Sequence, residues 1–294
     1  MFSTRIAVAA LSAMLILAAG VGSVAGARPD RSPAPTPPTL PAGERPLTAA
    51  ELAASDAKVA AAQAYEAAAR ASGLDLVTLA CVTPTGTADA SLQACAVPQG
   101  FLAVEARDQT LGHYCGPAVG QVIANYSWAM GAGRNKYTQA KIAGWMRTDV
   151  NGGTSAPLLE DGLEAATNGA PRRPAGWNWV VTDLRDVDGD GTVADQLHSF
   201  VRANVSGAKM PLAIPVKPHD KASQFHLVSW PKPVVSVGHW IAAYGWVGLW
   251  TGNDTSRLYF TDSSRDEGGS TGKFWDPMRH VAALIMEHTK RFVW

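Results

Sequence analysis

"DQTLGHYCGPAVGQVIANY", Asp108 to Tyr126, carries the third of three cysteines into what reads as a helix. Cys115 is followed by Gly116, Pro117 and Ala118, then by the apolar-periodic run "VGQVIANYSWAM". Proline is favoured in a first helical turn, where its missing N–H costs nothing, so the pattern predicts a helix over about 116–130 that opens at or beside Cys115. The unpaired amides of such a helix end carry partial positive charge and stabilise a thiolate, the form of sulfur that attacks a carbonyl carbon.

An attacking sulfur needs an acid/base partner and a donor for the oxyanion that forms. Gln109 lies six residues ahead of Cys115 across a glycine-containing loop. Its amide can curl back toward the oxygen that the Cys115 backbone N–H reaches; the alternative is a solvated loop residue. Seven histidines compete for the base. His113 sits beside the thiol and reads as a flanking residue. His198, His280 and His288 fall on predicted helices, and His219 and His226 in the loop "KPHDKASQFHLVSW". His239 opens the predicted strand "GHWIAAYGWV", with Gly238 leaving room in front of it. Pairing 239–246 with 255–262 around "VGLWTGND" sets His239 directly opposite Asp262, on one face and about 5 Å apart at Cβ. From there a carboxylate holds an imidazole in the tautomer that serves a nucleophile. A slip of one residue would send the two to opposite faces. Asp262 as a turn cap in "TDSSRDEGG" is the competing reading.

Composition sets the frame. The chain has 294 residues, 47% of them hydrophobic, with 25 Lys plus Arg against 25 Asp plus Glu. It can bury one good-sized core, and it has no global field directed at nucleic acid. Arg5, the apolar run after it and Ala25-Gly26-Ala27 form the three parts of a secretory signal peptide over residues 1–27, so a secreted protein is expected, with no membrane attachment after cleavage; a retained membrane anchor is the alternative. Residues 28–47 are a Pro-rich linker. Residues 48–73 read as an Ala-rich helix opened by a Thr48/Glu51 capping box, either a weakly docked surface helix or stalk, or a pro-segment that shields the site. Outside the cytosol a disulfide persists, so Cys81 and Cys95 can staple "VTPTGTADASLQA" and leave Cys115 as the odd thiol.

From residue 74 to 294 one domain is expected. Strands are predicted at "LDLVTLACV", "QACAVPQGFLAVEA", "WNWVVTDL", "PLAIPV", "GHWIAAYGWV" and "SRLYFTD". Helices are predicted at about 137–147, 155–167, 193–205 and 277–290. Helices early and strands late indicate an α+β domain with a mainly antiparallel sheet. "DVDGDG" places Asp186, Asp188 and Asp190 as the first half of a calcium loop, with Leu197 where the closing acid belongs; a structural calcium is thus the one ion suggested, against an acidic helix-capping turn. Among ten tryptophans, Trp240, Trp246 and Trp250 surround the hairpin and are candidates to wall a cleft, with core packing as the alternative.

Gln109, "YCGPA", "GHWIAAYGW" and "YFTDSS", in that order, resemble family thirty-nine of the papain-like cysteine peptidases, the bacteriocin-processing or double-glycine-leader peptidases and their stand-alone secreted relatives. The resemblance spans roughly residues 100 to 275 and includes "GGTSAPLLEDGL". It implies a papain-like fold in which a helical part carrying the nucleophile packs on a sheet carrying His and Asp. It also implies Cys115 as nucleophile, His239 as general base, Asp262 as orienting acid and Gln109 as oxyanion donor, with no cofactor required. A monomer acting on peptide or protein, cell-wall peptide included, is the expected form. The transporter-fused members carry membrane spans and an ATPase domain that find no match here, so double-glycine cleavage is not implied. The rival readings are an inactive binding module for peptide or glycan, a cell-wall endopeptidase of the Cys–His–His type and, weakest, a zinc site.

Overall fold

A computed structural model describes residues 44–72, 98–185, 193–219, 225–231, 237–248, 256–264 and 269–294. The expected signal peptide, most of the Pro-rich linker, the Cys81–Cys95 staple, the strand "LDLVTLACV", the Asp186/Asp188/Asp190 loop and Trp250 lie outside the described residues.

Helix α2 (Cys115–Ser127) is the centre of the helical part, and all thirteen of its residues are buried. Its small residues allow close approach. A Cβ on Gly120 would stand 2.6 Å from Met146 Cε, so glycine there lets α2 meet α3 (Gln139–Trp145) and the Met146 that caps it. Met146 also fills the space that Gly162 leaves on α4 (Ala156–Thr167). These three helices match the predicted ones, α3 losing two residues at each end, α4 one at its start, and α2 beginning one residue earlier and ending three earlier.

The sheet is open, has seven strands, and every pairing in it is antiparallel. Its order is β2 (Val181–Asp183), β7 (Arg291–Val293), β3 (Leu212–Val216), β4 (His239–Val247), β5 (Arg257–Asp262) and β6 (Gly272–Pro277). β1 (Gln99–Phe101) pairs with β4 beyond the stretch that β3 covers. Every residue of β3, and all of β4 except Val247, is buried. Successive side chains point to opposite faces, so this pattern means helices cover both faces of the central strands. α2 and α5 (Val193–Arg202) pack on β4, and α6 (Met278–Glu287) packs on β3. Six α-helices and seven strands among the described residues make the chain α+β, as composition and element order predict.

Three predicted elements differ in detail, the first being "WNWVVTDL", of which only Val181–Asp183 is strand. The helix over 193–205 changes to a π-helical turn at Ala203–Ala208, closed by Lys209 at φ 58°. The strand in "QACAVPQGFLAVEA" is only three residues long, after which Leu102 gives one more hydrogen bond to Tyr244 O. β6 has no counterpart in the sequence reading. It is an edge strand of largely half-exposed residues, and "GKFWDP" lacks the alternation that would announce it.

Helix α1 (Ala49–Ala71) corrects the expectation of weak docking. Its capping box forms as predicted, but its inner face is held by polar contacts as well as alanine. Ser55 Oγ donates to Thr182 Oγ1 at 3.0 Å, and Glu66 pairs with Arg202 at 3.0 Å with both side chains under a tenth exposed. Lys58 Nζ donates to the carbonyls of Asn178 and Trp294 and lies 3.7 Å over the Trp177 ring. Alanines bring the helix close, and the charged groups then find buried partners. No helix among the described residues is long and apolar enough to cross a membrane.

Candidate active site

Cys115 is a free, buried thiol at the first residue of α2. The preceding Tyr114 contributes no side-chain cap, and the first turn holds no acidic residue. The positive end of the helix is therefore not answered by a capping oxygen or carboxylate of its own. Gly116 permits the placement: a Cβ there would lie 2.6 Å from Thr154 Oγ1.

His239 and Asp262 meet across β4 and β5, but not in the predicted register. Thr261 pairs with Ala242, so Asp262 stands level with Ile241 rather than with His239. The register shifts at Tyr244, where β4 carries an extra residue before Gly245 pairs with Tyr259. The offset at the His239 end is two residues, which preserves the face, and the side chains meet on the diagonal. His239 Nε2 lies 2.8 Å from Asp262 Oδ1, both side chains almost fully buried. The other partner of the imidazole is the Cys115 thiol. Burial opposes the charge on His239, but the Asp262 carboxylate and the contact with Cys115 outweigh it and raise the imidazole well above its usual 6.5. Burial likewise opposes the charge on Asp262, yet His239, the Ser264 N–H and Ser229 hold that carboxyl below its usual 3.8.

Asp262 takes four donors. Oδ1 accepts from His239 and from the Ser264 N–H at 2.9 Å; Oδ2 accepts from Ser229 Oγ at 2.7 Å and Trp230 Nε1 at 2.9 Å. The Trp230 ring, 2% exposed, packs edge-on to His239 with centroids 5.1 Å apart. It excludes water from the pair. Sequence reasoning missed Ser229 and Trp230 because they lie in an irregular loop far from β5, with no periodic signal to place them.

Gln109 sits in the loop before Cys115. Its Nε2 donates to Gly112 O at 2.9 Å, and its backbone N–H donates to Ser263 O at 2.9 Å. The buried side chain of Gln139 staples the same loop through Asp108 O and Thr110 N. The loop before Cys115 is thus tied to the residue that follows Asp262. His113 flanks the site as expected.

A cleft of about 610 Å³ opens beside Cys115, bounded by the Asn151–Ser155 loop, Gly238, Trp240 and His288. Asp149 Oδ1 shapes that loop by accepting from the N–H groups of Asn151 and Gly152. Trp240 lines the cleft and donates to Thr154 O at 2.8 Å. Trp246 does not: it packs against His198 and donates to Ser206, so the expected tryptophan wall reduces, among the described residues, to Trp240. Glu44 also lines the cleft, its Oε1 accepting from Ala156 N at the start of α4 and its Oε2 pairing with Arg291. Nothing in the sequence placed this residue there. Among the described residues no cluster of three metal-ligating side chains occurs. No family model matches the chain, and no curated protein matches it.

Proposed function

We propose that this protein is a secreted cysteine hydrolase of the papain-like type, cutting peptide or isopeptide bonds with Cys115, His239 and Asp262. The observation that carries the reading is the unbroken line from Asp262 through His239 to a thiol at an uncapped helix N-terminus, open to a cleft. Asp262 binds Nε2, which leaves Nδ1 for the sulfur. An imidazolium held above its usual range, together with the helix end, favours a thiolate–imidazolium pair over neutral partners.

In this reading the sulfur attacks the carbonyl carbon and forms a tetrahedral oxyanion beside the first amides of α2. One hydrogen of the Gln109 amide is engaged by Gly112 O, and we assign the other to that oxyanion. Collapse breaks the C–N bond while His239 hands its proton to the leaving amine, giving a thioester on Cys115. Water, deprotonated by His239, then attacks the thioester and releases the acid. Ser229 and Trp230 act as positioning residues through Asp262. Iodoacetamide alkylation of Cys115 against pH, in wild type and in His239→Ala, tests the pairing. Alkylation that is fast in the wild type and slow in the variant at the same pH is expected. A thiol indifferent to His239 refutes it.

A further inference from the structure

Lys217 follows β3 immediately after Val216, which pairs with His239, so the lysine stands level with Gly238 at the same end of the sheet. His288, just after α6, lies against that glycine: a Cβ on Gly238 would come within 2.6 Å of His288 Nε2. Both side chains line the cleft that holds Cys115. The carboxylate in that cleft, Glu44, is engaged by Arg291 and the Ala156 N–H. Lys217 has no ion pair among the described residues, and His288 Nδ1 is buried there without a hydrogen-bond partner. Burial, with Lys217 and His239 nearby, holds His288 down at about 4, so at neutral pH it is an uncharged ring with one N–H to donate. A compact ammonium beside an imidazole N–H, both without an anion among the described residues, matches a carboxylate.

We infer that Lys217 and His288 form a carboxylate-binding subsite, so that the residue whose amine leaves carries a carboxylate close to the scissile bond. Its assignment to the leaving-group side rests on the hydrolase reading, because His239 protonates the departing amine and the subsite adjoins His239. The carboxylate comes from an acidic side chain or from a free chain terminus; both present the same group.

The test uses the full chain as Cys115→Ala, which separates binding from turnover. Glutamic acid α-amide and glycylglycine serve as the carboxylate probes, and glycylglycinamide as the control that lacks the carboxylate. Binding is read from the His288 ring signal by NMR, assigned by its loss in His288→Asn. Saturable shifts are expected with one or both carboxylate probes and none with the amide; the stronger probe identifies the source. Lys217→Gln should weaken binding roughly tenfold, as loss of one charge-assisted bond does, and Lys217→Arg should restore most of it. Equal binding of acid and amide, no saturable shift, or indifference to Lys217→Gln would overturn the subsite. A Cys115 inert to iodoacetamide in the wild type would instead overturn the hydrolase reading and leave the binding result standing.

Discussion

Asp262→Asn isolates the charge at the centre of the site while keeping its shape. Both carboxylate oxygens face two donors each: His239 and the Ser264 N–H on one side, Ser229 and Trp230 on the other. An amide has one acceptor oxygen, so its NH₂ must turn toward one of these pairs. The Ser229 hydroxyl can rotate and the imidazole can change tautomer, but the Ser264 and Trp230 N–H groups cannot reverse. Either orientation therefore strands one buried donor, at about 1–3 kcal/mol, and replaces charged hydrogen bonds by weaker neutral ones, for about 2–4 kcal/mol in all. For a domain of this size that lowers Tm by roughly 5–15 °C. Turning the NH₂ toward His239 also places the ring proton on Nδ1, against the sulfur, and such a wrong tautomer costs on the order of 10⁴-fold in turnover in a Ser-His-Asp site. The deficit should depend on pH. His239 is raised in the folded state, so its contribution is complete below 6.5 and fades as pH rises beyond it; Asp262 is lowered, so its contribution is present above 3.8 and fades as pH falls through its lower folded value. The gap between wild type and variant is thus widest at about pH 4–6.5. Calorimetry across pH and iodoacetamide alkylation at pH 6 read the two effects. A variant that melts within about 2 °C of wild type and alkylates at an unchanged rate would refute the reasoning.

Glu66→Gln leaves the Arg202 guanidinium, which also lies 4.9 Å over the Trp246 ring, without its buried carboxylate. A loss of about 3–5 kcal/mol is expected, with early hydrogen exchange in α1, whereas Glu66→Leu combined with Arg202→Met should recover most of it. If the single variant exchanges α1 no faster than wild type, the helix is not anchored by this pair. Asp276, buried with one bond from the Val228 N–H, is raised by burial to about 6. Its contribution is complete below 3.8 and is lost as pH rises through about 6, so Asp276→Asn should raise Tm at pH 8 relative to wild type but not at pH 4. Melts at the two pH values that move in parallel would count against this.

The sequence by itself determined the helix end on which the site is built. Local rules favour proline in a first turn, so a helix was expected to open at or beside Cys115, and α2 begins at Cys115 itself. The parity of β4 and β5 was legible too, because a period of two assigns each residue a face. The register was not, since the bulge at Tyr244 depends on how β5 meets β4 and on the packing of Phe101 over Gly245, where a Cβ would lie 2.4 Å from Phe101 Cδ1. Only the tertiary structure brought Ser229 and Trp230 to Asp262, Glu44 to the start of α4, and Lys217 and His288 to one wall of the cleft. Each of these residues lies in a loop or at the end of an element, and its role comes from neighbours distant in the chain. The same holds for α1, whose alanine-rich face predicts little burial. Its anchors, Lys58 and Glu66, read as solvated charges until Trp177, Trp294 and Arg202 close around them. Helix caps and strand faces are short-range properties of a chain; the pairing of charges across it is settled only when the elements pack.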